Sequence, residues 1–203
     1  MPPPPTVACP RVLNGVGRVN PSTAVCVGHK DGFAYLLAAA HALPPDQAQT
    51  LQFFAPGQDD PDRELTGVEV LLRLPDPDLL LVRATVGGEP VPELPLVGRG
   101  KKPKLLPAPA TAVGCPGGKP PAVRPDVVLA RRVVRRPGGA LGVFWETESA
   151  PVGGMSGGPL LDREGAVIGV CSAVSLTNGR GYFTHADEIL AALAGGDHRW
   201  LVK

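Results

Sequence analysis

Short apolar runs recur along the chain between turn-forming residues. They are Thr23-Ala-Val-Cys-Val27, Phe33-Ala-Tyr-Leu-Leu37, Val68-Glu-Val-Leu-Leu-Arg-Leu74, Leu79-Leu-Leu-Val82, Asp126-Val-Val-Leu-Ala130 and Ala166-Val-Ile-Gly-Val-Cys171. Runs this short, rich in Val or Leu and bounded by Gly, Pro or Asp, predict strands rather than helices. One segment predicts a helix: Thr184 as its cap, Asp187 three residues on, Ile189, Leu190 and Leu193 on one face, and Gly195-Gly196 as its stop. The opening run of four prolines predicts an extended tail over residues 1–11. Residues 88–109 are too rich in proline for a central strand and predict a connection between two halves, 12–87 and 110–203. The fold class is therefore all-β with a short C-terminal helix.

Composition narrows the function classes. Gly and Pro number 26 and 25 of 203 residues, a turn-rich balance, yet 43% of the chain is hydrophobic, enough for a core. The net charge of +1 gives no global field toward nucleic acid or anionic lipid. Two basic runs, Lys101-Lys102-Pro-Lys104 and Arg131-Arg132-Val-Val-Arg135-Arg136, lack stacking aromatics, so charge-guarded strand edges are expected rather than a nucleic-acid surface. No stretch reaches the ~18 apolar residues of a membrane span, and the N-terminus lacks the pattern of a secretory signal. A cytoplasmic chain is expected, with Cys9, Cys26, Cys115 and Cys171 as free thiols, since none has metal-ligand spacing. His29, His185 and His198 also lack that spacing, and neither metal nor cofactor is expected.

The densest chemical signal is Gly153-Gly154-Met155-Ser156-Gly157-Gly158-Pro159. A serine between glycines can occupy a tight turn with neighbouring N–H groups unobstructed, which combines a nucleophile with a cradle for an oxyanion. A base is offered by His41, which closes the apolar run Tyr35-Leu-Leu-Ala-Ala-Ala-His41. A carboxylate is offered by Asp78, set directly before the apolar Leu79-Leu-Leu-Val82, with Asp76 as its rival two residues earlier. A charge at such a position is costly unless it is hydrogen-bonded. The segment Gly154-Met-Ser-Gly-Gly158 also fits the nucleophile elbow of an α/β-hydrolase. That fold needs a helix and two further catalytic residues after the serine, whereas Pro-Leu-Leu, a predicted strand and only 47 residues follow Ser156.

With Ala-Ala-His41, Asp78-Leu-Leu-Leu and Gly-Met-Ser156-Gly-Gly-Pro in this order, the chain resembles the trypsin-like, chymotrypsin-fold serine proteases over residues 12–193. Ala112-Val-Gly114-Cys-Pro-Gly-Gly118 resembles the family's turn near the start of its second barrel. The resemblance implies two six-stranded antiparallel β-barrels, His41 and Asp78 in the first and Ser156 in the second. It implies hydrolysis of peptide bonds in protein or peptide substrates through a His41, Asp78, Ser156 triad, with the N–H groups of Gly154 and Ser156 as oxyanion hole. It also implies a substrate site with Ala150 and Val152 in one wall, Ser172, Ala173 and Val174 along the substrate edge, and Gly181 and Phe183 at the back. Ser172 is expected to support Asp78. No charge stands at the base by position, which implies small or aliphatic P1 residues unless Glu146 or Glu148 reaches the pocket.

Two departures from the family stand out. Cys9-Pro-Arg11-Val12 looks like an activation site, but Met155 stands where the family's inserted amine finds an aspartate. The oxyanion loop is then expected to be set by packing or by a partner, and a catalytically latent peptide- or partner-binding module is the competing reading. Ala42 stands where secreted relatives carry a cysteine beside the histidine, so Cys26 has no partner there.

Overall fold

The computed structural model describes residues 16–19, 22–43, 50–55, 57–98, 103, 105–135 and 139–202. The expected tail, the Arg11-Val12 pair, Lys101, Lys102, Lys104 and Arg136 lie outside these residues. Six strands form a first closed antiparallel barrel: β1 (Val16–Val19), β2 (Ser22–Lys30), β3 (Phe33–Ala38), β4 (Leu51–Phe53), β5 (Arg63–Leu74) and β6 (Leu79–Thr85), in the order β1-β2-β3-β6-β5-β4. Six more close a second: β7 (Ala108–Gly114), β8 (Ala122–Arg135), β9 (Leu141–Thr147), β10 (Pro159–Leu161), β11 (Val167–Val174) and β12 (Gly181–His185), in the order β10-β11-β12-β9-β8-β7. The single α-helix among the described residues, α1 (Ala186–Ala194), follows β12 directly. β7 takes in Ala108 and Pro109, two residues of the stretch that composition assigns to the connection.

The apolar runs of β2, β3, β6 and β11 are strands buried on both faces. In β3, Leu36 and Ala38 turn into the first barrel with Leu51, Phe53, Leu65, Leu80 and Val82. Tyr35 and Leu37 turn outward, yet they are covered by Val113, Leu161 and Val170 of the second barrel and by Ile189 and Leu193 of α1. Each fully buried Leu of this kind contributes about 1.5–3 kcal/mol of transfer free energy. The shared cluster holds the two barrels at a defined spacing, and the functional groups lie along that junction.

The connection between the barrels is itself packed. Val91, Leu94 and Val97 are buried, Leu94 N–H donates to Cys26 O (2.8 Å), and Val167 N–H donates to Pro95 O (2.8 Å). After α1 the chain returns to the first barrel, where Leu201 and Trp200 lie against Gly28 so closely that a Cβ there would meet Leu201 at 2.5 Å. The arginine run of β8 continues beyond its pairing with β7, bonded to β9 alone, with Arg131, Arg132 and Arg135 exposed.

The cap of α1 differs from the expected one. Thr184 is the fourth residue of β12, and its hydroxyl donates to Pro77 O across the junction. The cap is His185, whose Nδ1 accepts from Asp187 N–H at 2.9 Å. An imidazole nitrogen satisfies the orphan donor as an Asn or Asp oxygen would, which a search for hydroxyl and carboxylate caps overlooks.

Candidate active site

His41 sits in a single 3-10 turn, Ala40–Ala42, between β3 and a segment leading to β4. Arg73 of β5 holds this turn from below, donating to Ala40 O (2.6 Å) and Leu43 O (2.7 Å). Asp78 ends the turn Pro75-Asp76-Pro77-Asp78, closed by Asp78 N–H to Pro75 O at 3.1 Å. Its φ of +55° is a left-handed conformation that Asp tolerates better than most residues. Asp76 is exposed on the outside of the same turn, while the Asp78 side chain is only 2% accessible and points to the histidine.

The three groups form a line across the junction. Asp78 Oδ2 lies 2.8 Å from His41 Nδ1, and His41 Nε2 lies 2.9 Å from Ser156 Oγ. His41 backbone N–H donates to Asp78 Oδ1 (3.1 Å), and Ser172 Oγ donates to Asp78 Oδ2 (2.5 Å). Burial pushes the Asp78 carboxyl up, but hydrogen bonds from His41 and Ser172 and the imidazole's charge outweigh it and hold it below its ordinary value. Asp78 is therefore an anion at neutral pH, an acceptor only, so His41 carries its proton on Nδ1 and presents the Nε2 lone pair to the Ser156 hydroxyl. Ser172 reaches the carboxylate because the β11–β12 register shifts between Cys171 and Ala173, and this bulge re-aims the side chain.

Backbone groups around Ser156 can be accounted for one by one. Gly153 O accepts from Gly117 N–H (2.7 Å), Gly154 O from Thr23 Oγ1 (2.7 Å), Met155 O from Gly158 N–H (2.9 Å) and Ser156 O from Thr23 N–H (2.9 Å). Met155 N–H donates to Val152 O (3.1 Å) and Gly157 N–H to Cys171 O (2.8 Å). Among the described residues, no protein acceptor takes the N–H of Gly154 or of Ser156. A trans peptide sets N–H opposite C=O, so the anchored Gly153 and Met155 carbonyls turn these two donors the other way. Gly154 has φ +93°, and a Cβ there would lie 2.2 Å from Cys115 O. Glycine is required on both counts.

Met155 is 1% exposed and packs into the core of the second barrel with Ala112, Leu160, Ile168, Cys171 and Phe183. Apolar burial thus anchors the middle of the loop. Arg18 of β1 steadies the neighbouring turn by donating to Gly118 O at 2.6 Å.

The remaining residues named from the sequence divide into two groups. Val152 and Val174 are exposed and Ala150 and Ala173 half-buried, all near the Ser156 loop. Gly181 and Phe183, the expected back of a pocket, are both buried, and Phe183 lines a small cavity together with Ala150. A Cβ at Gly181 would meet Thr147 Oγ1 at 2.5 Å and both Pro151 Cδ and Ser149 O at 2.8 Å, so the two walls already touch. Glu146 does not reach the pocket. It faces Arg132 (2.8 Å), Arg180 (3.5 Å) and the Tyr182 hydroxyl, one residue out of phase with the inward Trp145. Glu148 is exposed at the end of β9. Two charges that position alone did not reveal lie behind the wall, where Arg124 and Asp126 line a small cavity with Ser149, Ala150, Pro151 and Met155. Burial pushes the Asp126 carboxyl up, although it accepts from Val127 N–H (2.7 Å) and Ser149 N–H (3.1 Å). Thr23, Arg73 and Gly117 also escape a sequence search, because nothing in their local sequence marks a partner some 30 to 130 residues away.

Two closed six-stranded antiparallel barrels, with a serine, a histidine and a buried carboxylate aligned across their junction, define the class of trypsin-like peptidases. The family of trypsin-like peptidase domains matches residues 22–170, and the chain belongs to it. It is a serine endopeptidase acting on protein or peptide substrates. No curated protein sequence matches the chain. Among solved structures, the Rv3671c protease from M. tuberculosis in its active form is 20% identical, with a TM-score of 0.76 over 94% of this chain and 83% of its own. The MamO protease domain from Magnetospirillum magneticum is 18% identical, with a TM-score of 0.71 over 89% of this chain and 96% of its own. The HtrA-type protease AlgW with a tripeptide is 20% identical, with a TM-score of 0.68 over 89% of this chain and 59% of its own. These likenesses are of fold.

Proposed function

We propose that this endopeptidase works through Ser156 as nucleophile, His41 as general base and then acid, and Asp78 as the group that orients and electrostatically supports the imidazole. The observation that carries the assignment is the bridging position of His41, 2.8 Å from Asp78 and 2.9 Å from Ser156. Ser156 Oγ attacks the scissile carbonyl carbon while its proton passes to His41 Nε2. The carbonyl oxygen becomes an oxyanion received by the N–H groups of Gly154 and Ser156, a contribution of ~10²–10³ in turnover for one such donor. His41 returns the proton to the leaving amine, and water attacks the acyl-enzyme by the same route.

The loop anchored by Met155 and by the four engaged carbonyls favours an enzyme competent without an inserted N-terminal amine. The touching walls at Gly181 and Pro151 favour small P1 side chains over long or basic ones. Three buried free thiols, Cys26, Cys115 and Cys171, are compatible with a reducing, cytoplasmic setting. Labelling by a fluorophosphonate probe tests the site without a known substrate. The unaltered chain is expected to label, and Ser156→Ala and His41→Ala are expected not to. Undiminished labelling of Ser156→Ala would overturn the assignment.

A further inference from the structure

We propose that Thr23, a residue of the first barrel, is a positioning residue for the oxyanion hole in the second, an inference that rests on assigning that hole to Gly154 and Ser156. Thr23 lies on β2, opposite Arg18 of β1, and is fully buried. A buried hydroxyl is costly unless its hydrogen-bonding capacity is used, and here both roles are filled. Oγ1 donates to Gly154 O at 2.7 Å and accepts from Cys115 N–H at 2.9 Å. The Thr23 backbone adds a third bond, its N–H donating to Ser156 O at 2.9 Å.

Two of these bonds fall on the carbonyls of Gly154 and Ser156, the residues whose N–H groups face the reaction. Gly154 is free to rotate about both of its backbone torsions unless the peptide on each side is held. The preceding peptide is held at Gly153 O by Gly117 N–H (2.7 Å), and the following one at Gly154 O by Thr23 Oγ1. The same hydroxyl fixes Cys115, the residue leading into the Pro116–Gly118 turn that supplies the Gly117 donor. One side chain thus restrains the loop directly and, through Cys115, the turn that clamps its other end. The close approach leaves no slack, because a Cβ on Gly157 would lie 2.1 Å from Thr23 O. A threonine suits this duty because its β-branched side chain has a strongly restricted χ1, so the hydroxyl stays aimed. Valine has nearly the same shape but neither donates nor accepts.

The experiment compares Thr23→Val and Thr23→Ser with the unaltered enzyme, measuring kcat and KM per titrated active site. It also measures affinity for a peptide aldehyde, whose hemiacetal places an oxyanion in the hole, against that for the corresponding peptide alcohol. Thr23→Val is expected to lower kcat about 10- to 100-fold, less than the ~10²–10³ of losing an oxyanion donor outright because both donors are kept and only loosened, with KM changed less than about twofold. Its preference for the aldehyde over the alcohol should fall by a similar factor, and Thr23→Ser should restore most of both. A merely structural role would lower the thermal midpoint and the number of active sites while leaving kcat per site and the aldehyde preference intact. That result overturns the proposal. If Thr23→Val does not fold, Thr23→Cys, with only a weak donor and acceptor, replaces it with the same two outcomes. An unaltered enzyme showing no aldehyde preference would instead refute the hole assignment, and the Thr23 proposal with it.

Discussion

Ser172 and Asp78 stand on different barrels and are joined by one hydrogen bond of 2.5 Å, so the carboxylate beside His41 is completed by the barrel that carries Ser156. This contact and those from His41 hold Asp78 below its ordinary value. The unfolded chain therefore binds more protons than the native one between the depressed folded value and ~3.9, and stability rises with pH across that window. The Asp78 contribution is complete above ~3.9 and is lost as pH falls through the folded value. Ser172→Ala removes a bond to a buried charge, a loss of about 1.5–3 kcal/mol. Acid-unfolding curves should show its transition at higher pH than that of the unaltered chain.

Asp78→Asn removes the charge and favours the wrong imidazole tautomer. It should lower kcat by roughly 10⁴, the magnitude of the corresponding change in the family's worked template. Asp76→Asn should leave kcat within about twofold, since exposed polar substitutions away from a site have small effects. Steady-state kinetics of the two variants decide between the carboxylates, and equal losses would contradict the geometry.

Met155→Leu, which conserves volume, should cost under about 1.5 kcal/mol and keep kcat. Met155→Asp buries a carboxylate in an apolar core and should lower both the thermal midpoint and the titrated active-site fraction. Arg11→Gln, which blocks cleavage after residue 11, should leave activity unchanged, because the loop is anchored from within the barrel. Loss of activity in Arg11→Gln would show that a freed N-terminus is required after all.

A P1-varied peptide library should be cleaved mainly after Gly, Ala or Ser. Arg, Lys and Phe should be disfavoured by more than about tenfold, the least discrimination expected of a pocket short by one methylene or more. Dominant cleavage after Arg or Lys would mean that the walls at Gly181 and Pro151 open toward Asp126 when substrate binds.

Burial pushes the thiols of Cys26, Cys115 and Cys171 up to about 12, 11 and 12. With values this high, native-state alkylation of each should be at least about 100-fold slower than in denaturant, where four thiols should titrate. The native state keeps protons that the unfolded chain releases above ~8.5, so this contribution is full below ~8.5 and is lost as pH rises from there through the folded values. Alkaline unfolding followed by circular dichroism should accordingly begin above about pH 8.5, and fast native labelling of Cys171 would contradict its burial.

Much of this protein is legible without coordinates. The apolar runs of β2, β3, β5, β6, β8 and β11 declare themselves because strand burial imposes a local pattern of side chains. The turn around Ser156 declares itself because close backbone approach and positive φ admit only glycine at Gly154 and Gly157. The three-residue strands β4 and β10 are too short to carry a pattern and emerge only when the barrels close around them. The choice of Asp78 over Asp76 was suggested by its place before an apolar strand, but a buried line to His41 is a fact of the folded chain. The His185 cap, the closed wall at Gly181, the buried pairing of Glu146 with Arg132 and the Thr23 anchor were decided by tertiary structure alone. Hydrogen bonds between segments far apart in sequence leave no periodicity in either one. Their partners are chosen by the packing of two barrels against each other, and that packing is a property of the whole chain.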